Sequence, residues 1–139
     1  MAFIDGLHTY EQSLRDVENC LKYLNPNGII VIHDCLPTSE AEAMPTLEEA
    51  KKHPDFKGAW TGDVYKTIIH LRASHPDLFV SVIDTDHGVG IIKRGDAENI
   101  IDFSLEQIKN LTFDEFIKDK KRLLNLKPKE WFFEFIEIC

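Results

Sequence analysis

Four side chains among the first 34 residues are able to hold a metal or move a proton: Asp5, His8 and the adjacent pair His33-Asp34. If they converge, Asp5, His33 and Asp34 offer two carboxylates and an imidazole, a facial set suited to a divalent cation. His8 follows Asp5 by three residues and is a candidate general base or ligand contact, because an unperturbed imidazole titrates near neutrality. Each residue also has a plainer use. Asp5 and Asp34 can cap the turns that follow them, His33 can pack locally, and His8 can bond to a loop carbonyl. Convergence decides between these uses, and convergence depends on the elements that carry the four residues.

The run Gly28-Ile29-Ile30-Val31-Ile32-His33-Asp34 is entered from Asn25-Pro26-Asn27 and holds four β-branched residues in succession. It reads as a strand buried on both faces, of the kind found in the middle of parallel sheets. Ala2-Phe3-Ile4-Asp5-Gly6 reads as the tail of an earlier strand. Between the two, Thr9 and Gln12 have capping-box spacing, and Leu14, Val17, Leu21 and Leu24 recur at helical spacing. Strand, helix and strand within residues 1–34 make a βαβ unit with a right-handed crossover. In such sheets ligands bind beyond the carboxyl ends of the strands, which is where Asp5, His33 and Asp34 fall.

Beyond Asp34 a loop runs from Cys35 to Pro45, followed by a short helix capped by Thr46. Trp60-Thr61-Gly62-Asp63 precedes a longer helix. It can serve as an aromatic lid or simply as a start signal, with Asp63 as N-cap and Val64, Ile68 and Leu71 on the buried side. That helix ends before His75-Pro76. Leu78–Asp84 and Gly88–Lys93 are two further strands, joined too closely for a crossover helix and so expected as an antiparallel hairpin. Asp84, Asp86 and His87 are ordinary turn residues there, and His70 and His75 lie toward a helix end; none of the five is assigned to a site. The tail reads as helices: Ser104 with Gln107 and Thr112 with Glu115 are capping-box pairs. Phe113, Phe116, Ile117 and Leu124 form one face, and Trp131, Phe132, Phe135 and Ile136 belong to a last helix after Pro128. So many aromatic residues require burial, on the sheet or against another subunit.

Composition narrows the function. A formal net charge of -8 argues against nucleic acid as a partner. The absence of an apolar run long enough to span a bilayer argues against a membrane. The cysteines Cys20, Cys35 and Cys139 share no metal-type spacing and do not make a disulfide framework, so a reducing, cytoplasmic setting is expected. No glycine-rich strand-to-helix turn, P-loop or serine nucleophile elbow is present. A helical metal phosphohydrolase is rejected, because its His-Asp pair lies on a helix and this one ends a strand.

The blocks Phe3-Ile4-Asp5-Gly6-Leu7-His8-Thr9-Tyr10-Glu11 and Leu24-Asn25-Pro26-Asn27-Gly28-Ile29-Ile30-Val31-Ile32-His33-Asp34 resemble the second half of class I S-adenosylmethionine-dependent methyltransferases. The nearest branch is that of macrocin O-methyltransferase and cephalosporin hydroxylase. Gly62-Asp63-Val64-Tyr65-Lys66 and Asp86-His87-Gly88-Val89-Gly90-Ile91-Ile92 are also similar to it. The resemblance covers residues 1–95 and implies a partial Rossmann-like α/β fold. Its sheet of about four strands is mostly parallel, closed by the antiparallel hairpin, with C-terminal helices added. It implies O-methyl transfer to a small-molecule or sugar hydroxyl, with S-adenosylmethionine as cofactor and a divalent metal such as Mg²⁺ held by Asp5, His33 and Asp34. His8 is then the general base. His33 departs from the pattern, since a carboxylate often stands at its position.

Two regions are expected: a methyltransferase-like half-domain over 1–95 and a helical extension over 96–139. Because the family's cofactor half has no counterpart in the sequence, the chain is expected to be incomplete and inactive by itself. The strand of Asp5 is then a bare sheet edge, and homo-oligomers through that edge or the aromatic tail are expected. A non-catalytic interaction remnant of the same fold is the alternative function.

Overall fold

The computed structural model describes residues 1–138; Cys139, counted above among the cysteines, lies outside them. Five strands form one sheet: β1 (Ala2–Ile4), β2 (Ile29–Ile32), β3 (Leu78–Asp84), β4 (Val89–Arg94) and β5 (Leu126–Pro128), in the spatial order β1-β2-β4-β3-β5. β1 pairs parallel to β2 and β3 parallel to β5, while β4 lies antiparallel between β2 and β3. Four strands therefore point one way, and β4 alone runs against them. The expected α/β architecture and the hairpin are both present. β5 is an addition, because a three-residue strand ending in Pro128 carries no periodic signal of its own.

The helices are α1 (Tyr10–Tyr23), α2 (Leu47–Lys52), α3 (Tyr65–Ser74), α4 (Leu105–Lys109), α5 (Phe113–Leu124) and α6 (Lys129–Ile138). Leu78, Val80 and Val82 of β3 join Ile68, Ile69 and Leu71 of α3 in one core, which also takes in Val17 of α1 and Phe116 of α5. Residues on a strand alternate between its faces, so Phe79 points to the other side. There it stacks on Trp131 and Phe135 of α6. The aromatic tail thus covers the sheet as expected, yet Phe133 and Ile136 remain exposed. In β2 the expectation of burial on both faces is corrected: Ile30 and Ile32 are buried, whereas Ile29 and Val31 are only half-buried.

Local chemistry explains most of the helix starts. Thr46, Ser104 and Thr112 each accept from the backbone N–H three residues on, and the last two complete reciprocal capping boxes with Gln107 and Glu115. Thr9 accepts from Gln12 N, but the Gln12 amide turns away to donate to Asp16. Asp63 is corrected as well. Its carboxylate does not cap α3 but accepts a 2.6 Å hydrogen bond from Tyr10 N, so it caps α1 from across the fold. In α5 a non-helical Asp119 kinks the axis; Ile117, expected on the buried face, is exposed, and Leu123 is buried beside Leu124.

One buried cation fastens the C-terminal elements to this core. The Arg72 guanidinium on α3 donates to the carbonyls of Leu123, Val80, Glu98, Asn99 and Arg122 at 2.8–3.4 Å. Among the described residues no helix is long and apolar enough to cross a membrane.

Candidate functional site

Parallel pairing puts the carboxyl ends of β1 and β2 side by side, with Ile4 opposite Ile32 and His33 N donating to the Ile4 carbonyl. Asp5 and the His33-Asp34 pair therefore leave the sheet together. Asp34 takes a left-handed backbone, φ 63°, unusual for a residue with a Cβ. The bend sends Cys35 N and Leu36 N to the carbonyls of Gly88 and His87 at the head of the β3–β4 hairpin. Because β3 runs parallel to β2, that hairpin arrives at the same sheet edge. Its two central residues, Asp86 and His87, both have positive φ, and Gly88 N bonds back to Thr85 O, the pattern of a type I′ turn. Gly88 is required there: a Cβ would stand 2.4 Å from Leu36 N.

The four residues singled out by type converge. His8 Nε2 lies 2.9 Å from Asp34 Oδ2 and 3.5 Å from Asp5 Oδ1. His33 Nδ1 lies 3.3 Å from Asp34 Oδ2 and 3.6 Å from Asp5 Oδ1. Asp5, His8 and Asp34 offer ligand atoms all within 4.8 Å of one another, a spacing that can hold a metal ion. Asp34 is almost fully buried, at 5% exposure, while Asp5 is open to solvent.

Backbone carbonyls set the histidine tautomers. His8 Nδ1 is 3.1 Å from the Trp60 carbonyl, and His33 Nε2 is 2.8 Å from the Asp86 carbonyl. A carbonyl only accepts, so each ring carries its N–H on that side. The lone pair of each neutral ring then faces the carboxylates. Burial pushes the Asp34 carboxyl above its ordinary range, against the opposing pull of His8 and His33. Burial acts to lower the His33 pKa, but Asp34, the Asp86 carbonyl and the carboxylates of Asp5 and Asp86 outweigh it, and the net shift is upward.

Sequence reasoning missed Asp86. Its carboxylate also approaches His33 Nε2, at 3.2 Å, and His87 sets its ring edge-on to His33. A hairpin turn carries no signal that one of its carbonyls will orient a histidine from another strand. The lid reading of Trp60 has a physical counterpart: its ring lies over the His8 imidazole with centroids 5.1 Å apart, and its indole N–H donates to the Met44 carbonyl. Asp84 and His75 stay outside the cluster, and His70 pairs instead with the Tyr10 hydroxyl at 2.7 Å.

A family model described as a methyltransferase domain matches residues 1–35. No curated protein and no solved structure matches the chain. Asp5, His8, His33 and Asp34 all fall within the matched residues, so the segment that builds the cluster is similar to a methyltransferase domain.

Proposed function

We propose that the cluster of Asp5, His8, His33 and Asp34 is the acceptor side of an S-adenosylmethionine-dependent O-methyltransferase acting on a hydroxyl of a small molecule or sugar. One observation carries the reading: all four side chains meet at the carboxyl edge of the sheet, and all four come from the residues similar to a methyltransferase domain. S-adenosylmethionine supplies an electrophilic methyl group on a sulfonium. The acceptor oxygen attacks that methyl carbon, the new O–C bond forms as the S–C bond breaks, and the hydroxyl proton must leave.

His8 Nε2 is the proposed proton acceptor, since its Nδ1 is already committed to the Trp60 carbonyl. Asp34 and Asp5 stabilise the imidazolium that results, at 2.9 and 3.5 Å. Trp60 covers one side of the ring and limits access by water. In a metal-assisted form, a divalent ion held by Asp5, His33 and Asp34 would ease loss of the hydroxyl proton.

The test is to incubate the chain with S-adenosylmethionine and a panel of catechol and sugar acceptors and to measure S-adenosylhomocysteine. Against the inactivity expected from the sequence, the reading requires methyl transfer that His8→Ala abolishes, and a folded chain with no methyl transfer would favour the non-catalytic alternative. Turnover unchanged in both His8→Ala and Asp34→Asn would overturn it.

A further inference from the structure

Mg²⁺, the ion implied for this position by resemblance, prefers an all-oxygen octahedron. The donors present are different. His8 Nε2, Asp34 Oδ2, His33 Nδ1 and Asp5 Oδ1 form a closed ring that alternates nitrogen with oxygen, with successive edges of 2.9, 3.3, 3.6 and 3.5 Å. An ion bonded at about 2.0–2.2 Å holds neighbouring donors about 3.0–3.5 Å apart, whether tetrahedral or octahedral. Three of the four, Asp5, His8 and Asp34, offer donors that all lie within 4.8 Å of one another, and His33 Nδ1 adjoins the two carboxylates from outside that trio.

The imidazoles are also prepared as ligands. A metal-binding histidine donates its other N–H to a carbonyl or carboxylate, which fixes the tautomer and aims the ring. His8 does this to Trp60 O, and His33 does it to Asp86 O with the Asp86 carboxylate alongside. In the neutral rings two lone pairs then face two carboxylates, an arrangement that calls for positive charge at its centre.

We propose that this ring binds a borderline first-row transition-metal dication, such as Zn²⁺ or Co²⁺, in preference to Mg²⁺. His8 is its nitrogen ligand and Asp5 and Asp34 its oxygen ligands, and His33 Nδ1, 3.3 Å from Asp34 Oδ2, is the further nitrogen that completes the set when the ion is bound. Imidazole suits Zn²⁺, Co²⁺ and Ni²⁺, whereas Mg²⁺ is reluctant to exchange water for nitrogen. The inference rests on reading this cluster as the working site, and it turns His8 from a base into a ligand whenever the ion is bound.

Calorimetric titration of the chelator-treated chain with Zn²⁺ and with Mg²⁺ tests it, alongside visible absorption of the Co²⁺ form. The expected result is one Zn²⁺ per chain, bound at least about 100-fold more tightly than Mg²⁺. Ligand-field bands should appear for Co²⁺ and disappear in Asp34→Asn. His8→Gln and His33→Gln should each weaken Zn²⁺ at least about tenfold while leaving Mg²⁺ affinity unchanged. Circular dichroism of each variant separates loss of a ligand from loss of the fold. Equal affinity for the two ions, or Zn²⁺ affinity indifferent to both histidine substitutions in folded variants, overturns the inference. Methyl transfer without tight Zn²⁺ binding defeats this inference alone; tight Zn²⁺ binding without methyl transfer defeats only the proposed function.

Discussion

The Asp34 carboxylate stands 2.9 Å from His8 Nε2, with one residue at the end of β2 and the other in the loop that follows β1. Asp34 reaches this position by adopting φ 63°, which few residues other than glycine, asparagine and aspartate accept. Asp34→Asn keeps the shape and the backbone preference and removes the charge. Its stability should stay within about 1 kcal/mol of wild type by urea unfolding. Methyl transfer should fall by at least about 100-fold. Asp34→Val, β-branched at positive φ, should be markedly less stable than Asp34→Asn.

Gly62 holds the His8 loop in place by having no side chain. A Cβ there would lie 1.7 Å from the His8 carbonyl oxygen, and the glycine has φ +65°. Gly62→Ala is expected to cost about 1–3 kcal/mol in urea unfolding and to move the His8 imidazole. Proton NMR of the ring C–H resonances reads the second effect. An unshifted His8 signal in a destabilised variant would show that the loop yields elsewhere.

Arg72 is the most heavily bonded buried charge described here, with five carbonyl acceptors drawn from β3, α5 and the segment after β4. Arg72→Met leaves those carbonyls without their donor and should cost about 3 kcal/mol or more. Arg72→Lys should recover little of it, because an ammonium offers three donors and not a planar fork of five. Equal stability of Arg72→Lys and wild type in urea would show that charge alone suffices.

Burial holds the pKa of His70 below the ordinary 6.5, and its Nδ1 accepts from the Tyr10 hydroxyl at 2.7 Å. Between the folded and unfolded values the unfolded chain binds more protons. This contribution to stability is therefore complete above about pH 6.5 and is lost as the pH falls toward the folded value. In His70→Gln, whose amide oxygen still accepts from Tyr10, the loss of stability between pH 7.5 and 5.5 should be smaller. Parallel pH curves for the two proteins would exclude His70 as the source.

Glu98 shifts the opposite way. Hydrogen bonds from Asn125 first, and then Lys127, hold its carboxyl below the ordinary 4.5. Its contribution is present above that value and lost as pH falls through the folded one. Glu98→Gln should be less stable than wild type at neutral pH and lose less stability on acidification below about pH 4.5, so that the two curves converge in acid.

Much of the site was legible because its residues are local to the elements that carry them. β-branched residues at 29–32 and a capped amphipathic helix before them place Asp5, His33 and Asp34 at one edge without long-range information. The turn at Asp86 and His87 was legible as a hairpin, but not as the support of His33, since the bond comes from a backbone carbonyl that every residue possesses. Asp63 was assigned to the helix that follows it, yet it caps α1, because Tyr10 N is brought to it by tertiary packing. β5 escaped notice because three residues are too few to show a period. Asn125, in the left-handed conformation just before it, makes the sharp turn that delivers them.

β4 has a consequence for the order of assembly. It sits between β2 and β3, though the chain makes both of those first. Ile92 of β4 pairs with Ile30 on one side and Val80 on the other, so β4 sets the spacing of β2 and β3. The β3–β4 hairpin is the most local pairing of the sheet, whereas β2–β4 joins strands far apart in the chain. The same hairpin brings the Asp86 carbonyl to His33, so the long-range pairing that joins the two halves of the sheet also orients the site histidine.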